Sequence, residues 1–183
     1  NVDFGFSLAA AAGGVVVATV QEDLVAGLEG FSGQVLRSAD AGYDEARRIH
    51  NGLIDRRPAI IARCLGTADV VAAVNVARDQ GLELSVRGGG HNVAGKAVTD
   101  GGVMVDLSLM KGIHVDPAAS TVRAQGGVTW AELNRETQVH GLAVTGGVVS
   151  TTGIAGLTLG GGFGWTMSKT GLAVDNLISA EVV

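Results

Sequence analysis

The chain has 183 residues, 46% apolar and 17% charged, which excludes a disordered or fibrous protein and suffices for one domain with a hydrophobic core. Its formal net charge of −5, with no basic run longer than the pairs Arg47-Arg48 and Arg56-Arg57, argues against a nucleic-acid partner. Aromatic residues make up only 4%, so the core is built from Ala, Val, Leu and Ile, as suits an α/β protein with buried strands.

In chain order, the apolar stretch Leu8 to Val20 comes first. Its 13 residues are too few to span a bilayer. No Lys or Arg precedes it and Asp3 has the wrong sign for a signal peptide, so residues 1–20 are read as an uninformative leader and the protein as cytoplasmic. Gln21 to Asn51 reads as an opening helical region, with short helices at Asp23–Leu28 and Tyr43–Arg48. Ala59 to Arg63, set off by Pro58, is a short buried strand. The lone Cys64 follows it, which excludes an intrachain disulfide and a cysteine metal cluster and leaves a packing role.

Thr67 is expected to cap a helix running to about Gln80, with Val70, Val74 and Ala77 on one face and Gly81 as its stop. Leu82 to Val86 is a strand that empties into Arg87-Gly88-Gly89-Gly90-His91-Asn92. Val103 to Leu107 and Ser120 to Ala124 are further strands, the second after the turn Asp116-Pro117. Thr129 and Glu132 form a capping box, Val128 and Leu133 a hydrophobic staple, and Gly141 ends that helix. Leu177 to Val183 reads as a final strand, and a chain stopping there is expected to be incomplete at its C-terminus.

Of 29 glycines, 20 lie between Gly81 and Gly171, and eight fall between Gly146 and Gly164. Such density costs folding entropy and makes sense where backbone turns sharply or approaches a ligand. The interleaved Val, Ile, Leu, Phe and Trp argue against a flexible linker. In the first loop, successive glycines turn consecutive N–H groups toward one point, an anion-binding nest to which Arg87 adds charge. A Rossmann fingerprint is excluded, because its spacing fails at Val93, and a P-loop is excluded for want of Gly-Lys-Ser/Thr.

Of His50, His91, His114 and His140, only His91 sits in a glycine loop. No His-x-x-x-His pair supports zinc, and Ser150 lacks the setting of a nucleophile elbow. His140, at a helix end, suits the dipole. Spacing alone leaves His91 open between an ordinary hydrogen-bonding role and a chemical one.

The run Ser85 to Asn92 resembles the flavin loop of the berberine-bridge-enzyme-like oxidoreductases, which share the vanillyl-alcohol-oxidase type FAD-binding domain. Gly146 to Trp165 is similar to that family's second flavin-binding stretch. Val105-Asp106-Leu107-Ser108, Arg123 to Gly127 and Leu172 to Leu177 also fit, so the resemblance covers about residues 21–183. It implies an α+β fold of two small subdomains, about 21–90 and 91–183, with the flavin between them and the substrate domain absent.

The resemblance also implies roles. His91 matches the histidine that bonds the flavin covalently. The backbone from Val86 and Arg87 through Gly88, Gly89, Gly90 and Asn92 is expected to hold the pyrophosphate. Gly147, Val149, Thr152, Gly153, Gly156, Gly161, Gly162 and Gly164 are expected to line the other side of FAD, and Val183 to meet its adenine end. Val149 stands where some members carry a second covalent anchor, a cysteine, and Leu157 where some carry a histidine. That leaves His91 as the single link, as in bacterial members with one anchor.

The activity implied is oxidation of a C–H bond next to oxygen or nitrogen by hydride transfer to FAD. O2 is the expected acceptor and a sugar, alcohol or amine the expected small-molecule substrate, with no nucleic acid or membrane as partner. The catalytic base is expected outside this chain, and Tyr43 receives no such role. A flavin-binding fragment that turns nothing over, and a purely structural glycine-rich domain, stand as alternatives.

Overall fold

The structure, a computed structural model, describes residues 21–183 of the chain. The apolar stretch Leu8 to Val20 lies outside them. Four strands form the first sheet. β1 (Gln34–Arg37) runs antiparallel to β2 (Ile60–Arg63); β2 and β3 (Leu84–Arg87) lie parallel on either side of β4 (Val103–Asp106).

The two central strands are apolar up to their last residues, Arg63 and Asp106, because both their faces are covered. Side chains alternate between faces. Ile60, Ala62, Val103 and Val105 meet Leu24, Leu28, Ala73, Val76 and Ala77 on one side. Ile61 and Met104 meet Leu36, Tyr43, Ala46 and Val98 on the other.

Residues 21–26 are helical, and α1 is the single turn Tyr43–Ala46. Tyr43 is buried, which pushes its phenol up, and its hydroxyl donates to the Pro58 carbonyl at 2.5 Å. The helix α2 (Thr67–Asp79) makes the crossover from β2 to β3. The parallel crossover from β3 to β4 contains no helix; it is the glycine loop and its continuation to residue 102.

A second core forms around a hairpin of β5 (Ile113–Asp116) and β6 (Thr121–Ala124). Helix α3 (Trp130–Gln138) packs on it through Val128, Trp130 and Leu133, with Ala173 completing the cluster. The Glu132 carboxylate accepts from the Thr129 N–H at 2.7 Å while the Thr129 side chain accepts from the Glu132 N–H, which is the capping box, and the Thr129 hydroxyl also donates to the carboxylate at 2.8 Å. Lys111 donates to Glu132 and to the Gly127 carbonyl, each at 2.7 Å, tying hairpin to helix. Short helices α4 (Ile154–Leu159) and α5 (Met167–Thr170) follow. The result is the α+β arrangement expected, and no helix among the described residues is long and apolar enough to cross a membrane.

Several expectations need correction. The region 21–51 contains the strand β1, because Gln34 to Arg37 find a partner in β2 and pairing overrides local propensity. Gly66, not Thr67, occupies the cap of α2, and the Asp69 carboxylate in its first turn instead accepts the N–H groups of Ser32 at 2.8 Å and Leu65 at 2.9 Å. The buried face of α2 is Asp69, Ala73, Val76 and Ala77, so Val74 lies to one side of it. A division at residues 90/91 cuts through the four-stranded sheet, since β4 lies beyond it. Leu177 to Val183 forms no strand; it runs exposed, with Glu181 against Thr67 and Arg123.

Candidate functional site

β3 delivers the chain into the glycine loop, where Gly90 turns it with φ +70°, a conformation that side chains with a Cβ resist. A neighbouring segment braces the turn. The His50 N–H donates to the Gly90 carbonyl, and the Asn51 side-chain amide to the Val93 carbonyl, each at 3.0 Å. Opposite the loop stands Gly153. A Cβ on Gly89 would sit 2.7 Å from Gly153 Cα and would overlap its nitrogen. The two glycine segments therefore meet backbone to backbone.

The start of α3 holds the second segment in place. Trp130 N–H donates to Thr152 O at 3.0 Å, Ala131 N–H to Ser150 O at 2.9 Å, and Ile154 N–H to Val128 O at 2.9 Å. Between the segments lies a cavity of about 250 Å³. The first segment lines it with Val86, Gly88, Gly89, Gly90, His91 and Asn92, the second with Thr152, Gly153 and Gly156. Among the described residues, none of the backbone N–H groups from Gly88 to Asn92 donates to a protein acceptor. Consecutive free N–H groups in a glycine turn are the donor set of an anion site.

His91 is held on three sides. Its Nε2 lies 2.9 Å from the Thr151 hydroxyl and its Nδ1 3.3 Å from the Thr152 hydroxyl. Its ring stacks on His50, with centroids 4.0 Å apart and planes 14° from parallel. Burial, and second the neighbouring His50, push its pKa down, which favours the neutral ring. A neutral imidazole has one donor and one acceptor nitrogen, and a hydroxyl serves either.

Other expected residues lie elsewhere. The Arg87 side chain does not line the cavity: it donates to the Ala46 carbonyl and lies 4.0 Å from Asp106, with its Nε 3.6 Å from where a Cβ on Gly90 would sit, so its charge stands behind the loop rather than in the nest. A Cβ on Gly147 would meet Leu157 at 2.7 Å, and one on Gly162 would meet Ala173 at 2.7 Å; both serve internal packing. Gly164 lies against the Gly146 backbone. Gly161 and Val149 do not line the cavity, and Val183 is exposed and outside any strand. Ala97 and Leu157 complete the lining, and His50 and Thr151 are the partners that sequence spacing missed. Thr151 adjoins a residue already singled out, whereas His50 is 41 positions from His91 and left no local signal.

The residues present fit the diphosphate part of a flavin dinucleotide: a glycine cradle that a Cβ would fill, open N–H groups and a neutral imidazole at its end. At about 250 Å³ the cavity takes one part of such a molecule rather than all of it.

Known proteins share this arrangement of sequence. The family described as "FAD binding domain" matches residues 58–183. The chain is 45% identical over 153 residues to (R)-6-hydroxynicotine oxidase of Paenarthrobacter nicotinovorans, a match spanning 84% of this chain and 33% of that protein. The crystal structure of 6-hydroxy-D-nicotine oxidase from Arthrobacter nicotinovorans superposes with a TM-score of 0.78 at 44% identity, over 80% of this chain and 32% of that one. Physcomitrella patens BBE-like 1 superposes with a TM-score of 0.77 at 28% identity, over 85% and 34%. The chain thus spans about a third of the length of the relatives it matches.

Proposed function

The chain belongs to the FAD binding domain family, and on that premise we propose that it is the cofactor-holding part of an oxidoreductase that takes a hydride from a C–H bond next to oxygen or nitrogen. The single observation that carries this reading is the run of open N–H groups from Gly88 to Asn92, ending at His91 inside the cavity.

FAD, when bound, supplies the redox step: it accepts the hydride and passes two electrons to O2. The chain's own residues bind and orient. The Gly88 to Asn92 backbone holds the diphosphate with oriented dipoles. The contact of Gly89 with Gly153 closes the cradle from the other side. His91, whose charged form burial and then His50 disfavour, would offer one ring nitrogen for a single covalent link on giving up a threonine hydrogen bond. His91 would hold the flavin through one ring nitrogen and release its N–H proton, and the bound flavin, with O2 as oxidant, would take up the two electrons that forming the link sets free. By the resemblance of the loops, the substrate is a small sugar, alcohol or amine.

A second reading, flavin binding without turnover, draws on Phe163 and Trp165, which are 69% and 86% exposed beside the second glycine segment. An active flavin face excludes water. Adding candidate sugars and amines and watching for flavin bleaching separates the two.

Acid precipitation of the FAD-loaded chain tests the central claim. Flavin fluorescence stays with the wild-type pellet and moves to the supernatant in His91→Ala. Fluorescence in the His91→Ala pellet would place the link elsewhere. A chain that retains no FAD at all would overturn the cofactor seat.

A further inference from the structure

His50 has no part in the reading above, yet it makes the closest ring contact to His91. Three observations converge on it. The two rings are stacked at 4.0 Å and 14°. The His50 backbone N–H is bonded to the Gly90 carbonyl, so the stack is built on the turn itself. The two ring nitrogens of His91 are already taken by Thr151 and Thr152, which leaves the ring faces as the only remaining handle.

We propose that His50 is a positioning residue for His91, clamping one face of the imidazole so that the ring is held in one orientation in the cavity when FAD enters. The proposal rests on His91 being the attachment residue. The physics is simple. Two hydroxyls fix rotation of the ring in its plane, and a flat partner at van der Waals distance fixes its tilt. A proton on His50 then sits about one ring spacing from His91, and like charges at that distance disfavour a second proton.

The other groups around His91 do not replace this effect. Thr151 and Thr152 are neutral. Arg87, the cation at the head of the loop, is turned toward Ala46 and Asp106. Lys96 belongs to the continuation of the loop and is exposed, with its backbone N–H on Asn92. Burial lowers the His91 pKa first, and His50 adds to it.

The test uses the full chain in two states. In the flavin-free chain, the imidazole proton resonances of His91, identified by their loss in His91→Gln, are titrated by NMR in wild type and in His50→Phe. His50→Phe keeps a flat partner and removes the charge, so the His91 titration moves to higher pH. It does not return to the free value, because burial remains. An unmoved titration overturns the electrostatic role. In the FAD-loaded chain, covalent attachment is followed against time and pH. His50→Phe attaches flavin near the wild-type rate at high pH and more slowly at low pH, while His50→Ala, lacking the ring, is slower by about tenfold across the range.

Equal rates in all three proteins overturn the positioning role. Failure of the underlying reading looks different: wild type then acquires no covalent flavin, while the NMR titration still reports on the stack. Should His50→Ala fail to fold, His50→Leu supplies the same comparison.

Discussion

The loop Gly88 to Gly90 and the segment Gly146 to Gly164 are both rich in glycine, but different things occupy the space beside them. In the loop, backbone N–H groups without a protein acceptor among the described residues lie beside a cavity, and the missing side chains let Gly89 touch Gly153. In the segment, most of the missing side chains make room for protein. The Trp130 ring lies where a Cβ on Gly146 would fall, 2.6 Å from Cδ2, and Leu157 crowds Gly147 and Gly162. Of that segment's glycines, only Gly153 and Gly156 line the cavity. Glycine density therefore marks close approach, and whether a ligand or a tryptophan approaches is decided by the partner.

Gly89→Ala strikes this contrast hardest. Its Cβ would overlap backbone, which no rotamer change relieves, at a cost of about 3 kcal/mol or more at the loop contact. FAD retention is lost, while the sheet beneath stays folded. Cys64 reports on the sheet: it is fully buried, and burial pushes its thiol up to about 12, so it resists a thiol reagent in the native chain. If Gly89→Ala exposes Cys64 to the reagent, the loop contact is a strut of the fold and the contrast collapses.

Gly146→Ala is the mirror experiment. Overpacking against Trp130 lowers stability by about 1–3 kcal/mol in denaturant unfolding, with FAD retained by the molecules that fold. Loss of FAD at unchanged stability would show Gly146 to belong with the loop glycines.

The smallest effect concerns the anchor of the second segment. Burial raises the Glu132 pKa, but Lys111 and the Thr129 N–H and hydroxyl outweigh it and hold the carboxyl below its usual range. A folded pKa below the unfolded one gives stability that is present above the unfolded value and lost as pH falls through the folded one. The side chain is 34% exposed, so solvent screening keeps the contribution to about 1 kcal/mol or less. Melting temperature followed into acid should fall more for wild type than for Glu132→Gln; parallel curves would remove Glu132 as the acid-sensitive anchor.

These elements were not equally legible. β2 and β4 announce themselves as short apolar runs, Ile60-Ile61-Ala62 and Val103-Met104-Val105, because both faces are covered. α3 announces itself through Thr129 and Glu132, whose chemistry is local. β1 and β5 do not, since four residues become a strand only by finding a partner. The run Leu177 to Val183 shows the converse: strand-forming residues that pair with nothing among the described residues remain extended chain. The same limit applies to the site. The donor loop is readable because its glycines are consecutive. The touch of Gly89 on Gly153 and of His50 on His91 joins residues far apart in sequence, which no spacing rule reaches.

The direction taken by Arg87 has a further consequence. Asp106, 1% exposed, accepts from Arg63 and from both the N–H and the hydroxyl of Ser108, and it lies at the edge of ion-pair distance from Arg87. Arg87 donates to the Ala46 carbonyl and keeps its Nε, unpartnered among the described residues, behind Gly90, so its charge backs the loop while its hydrogen bond goes elsewhere. The contacts the loop can offer an anion are backbone N–H dipoles. Mobile ions weaken exposed charges over a Debye length of about 8–10 Å but have little hold on short, oriented contacts inside a cavity. The proposed seat would then draw on the Arg87 charge at a distance and on the backbone by contact, and added salt would screen the first while leaving the second.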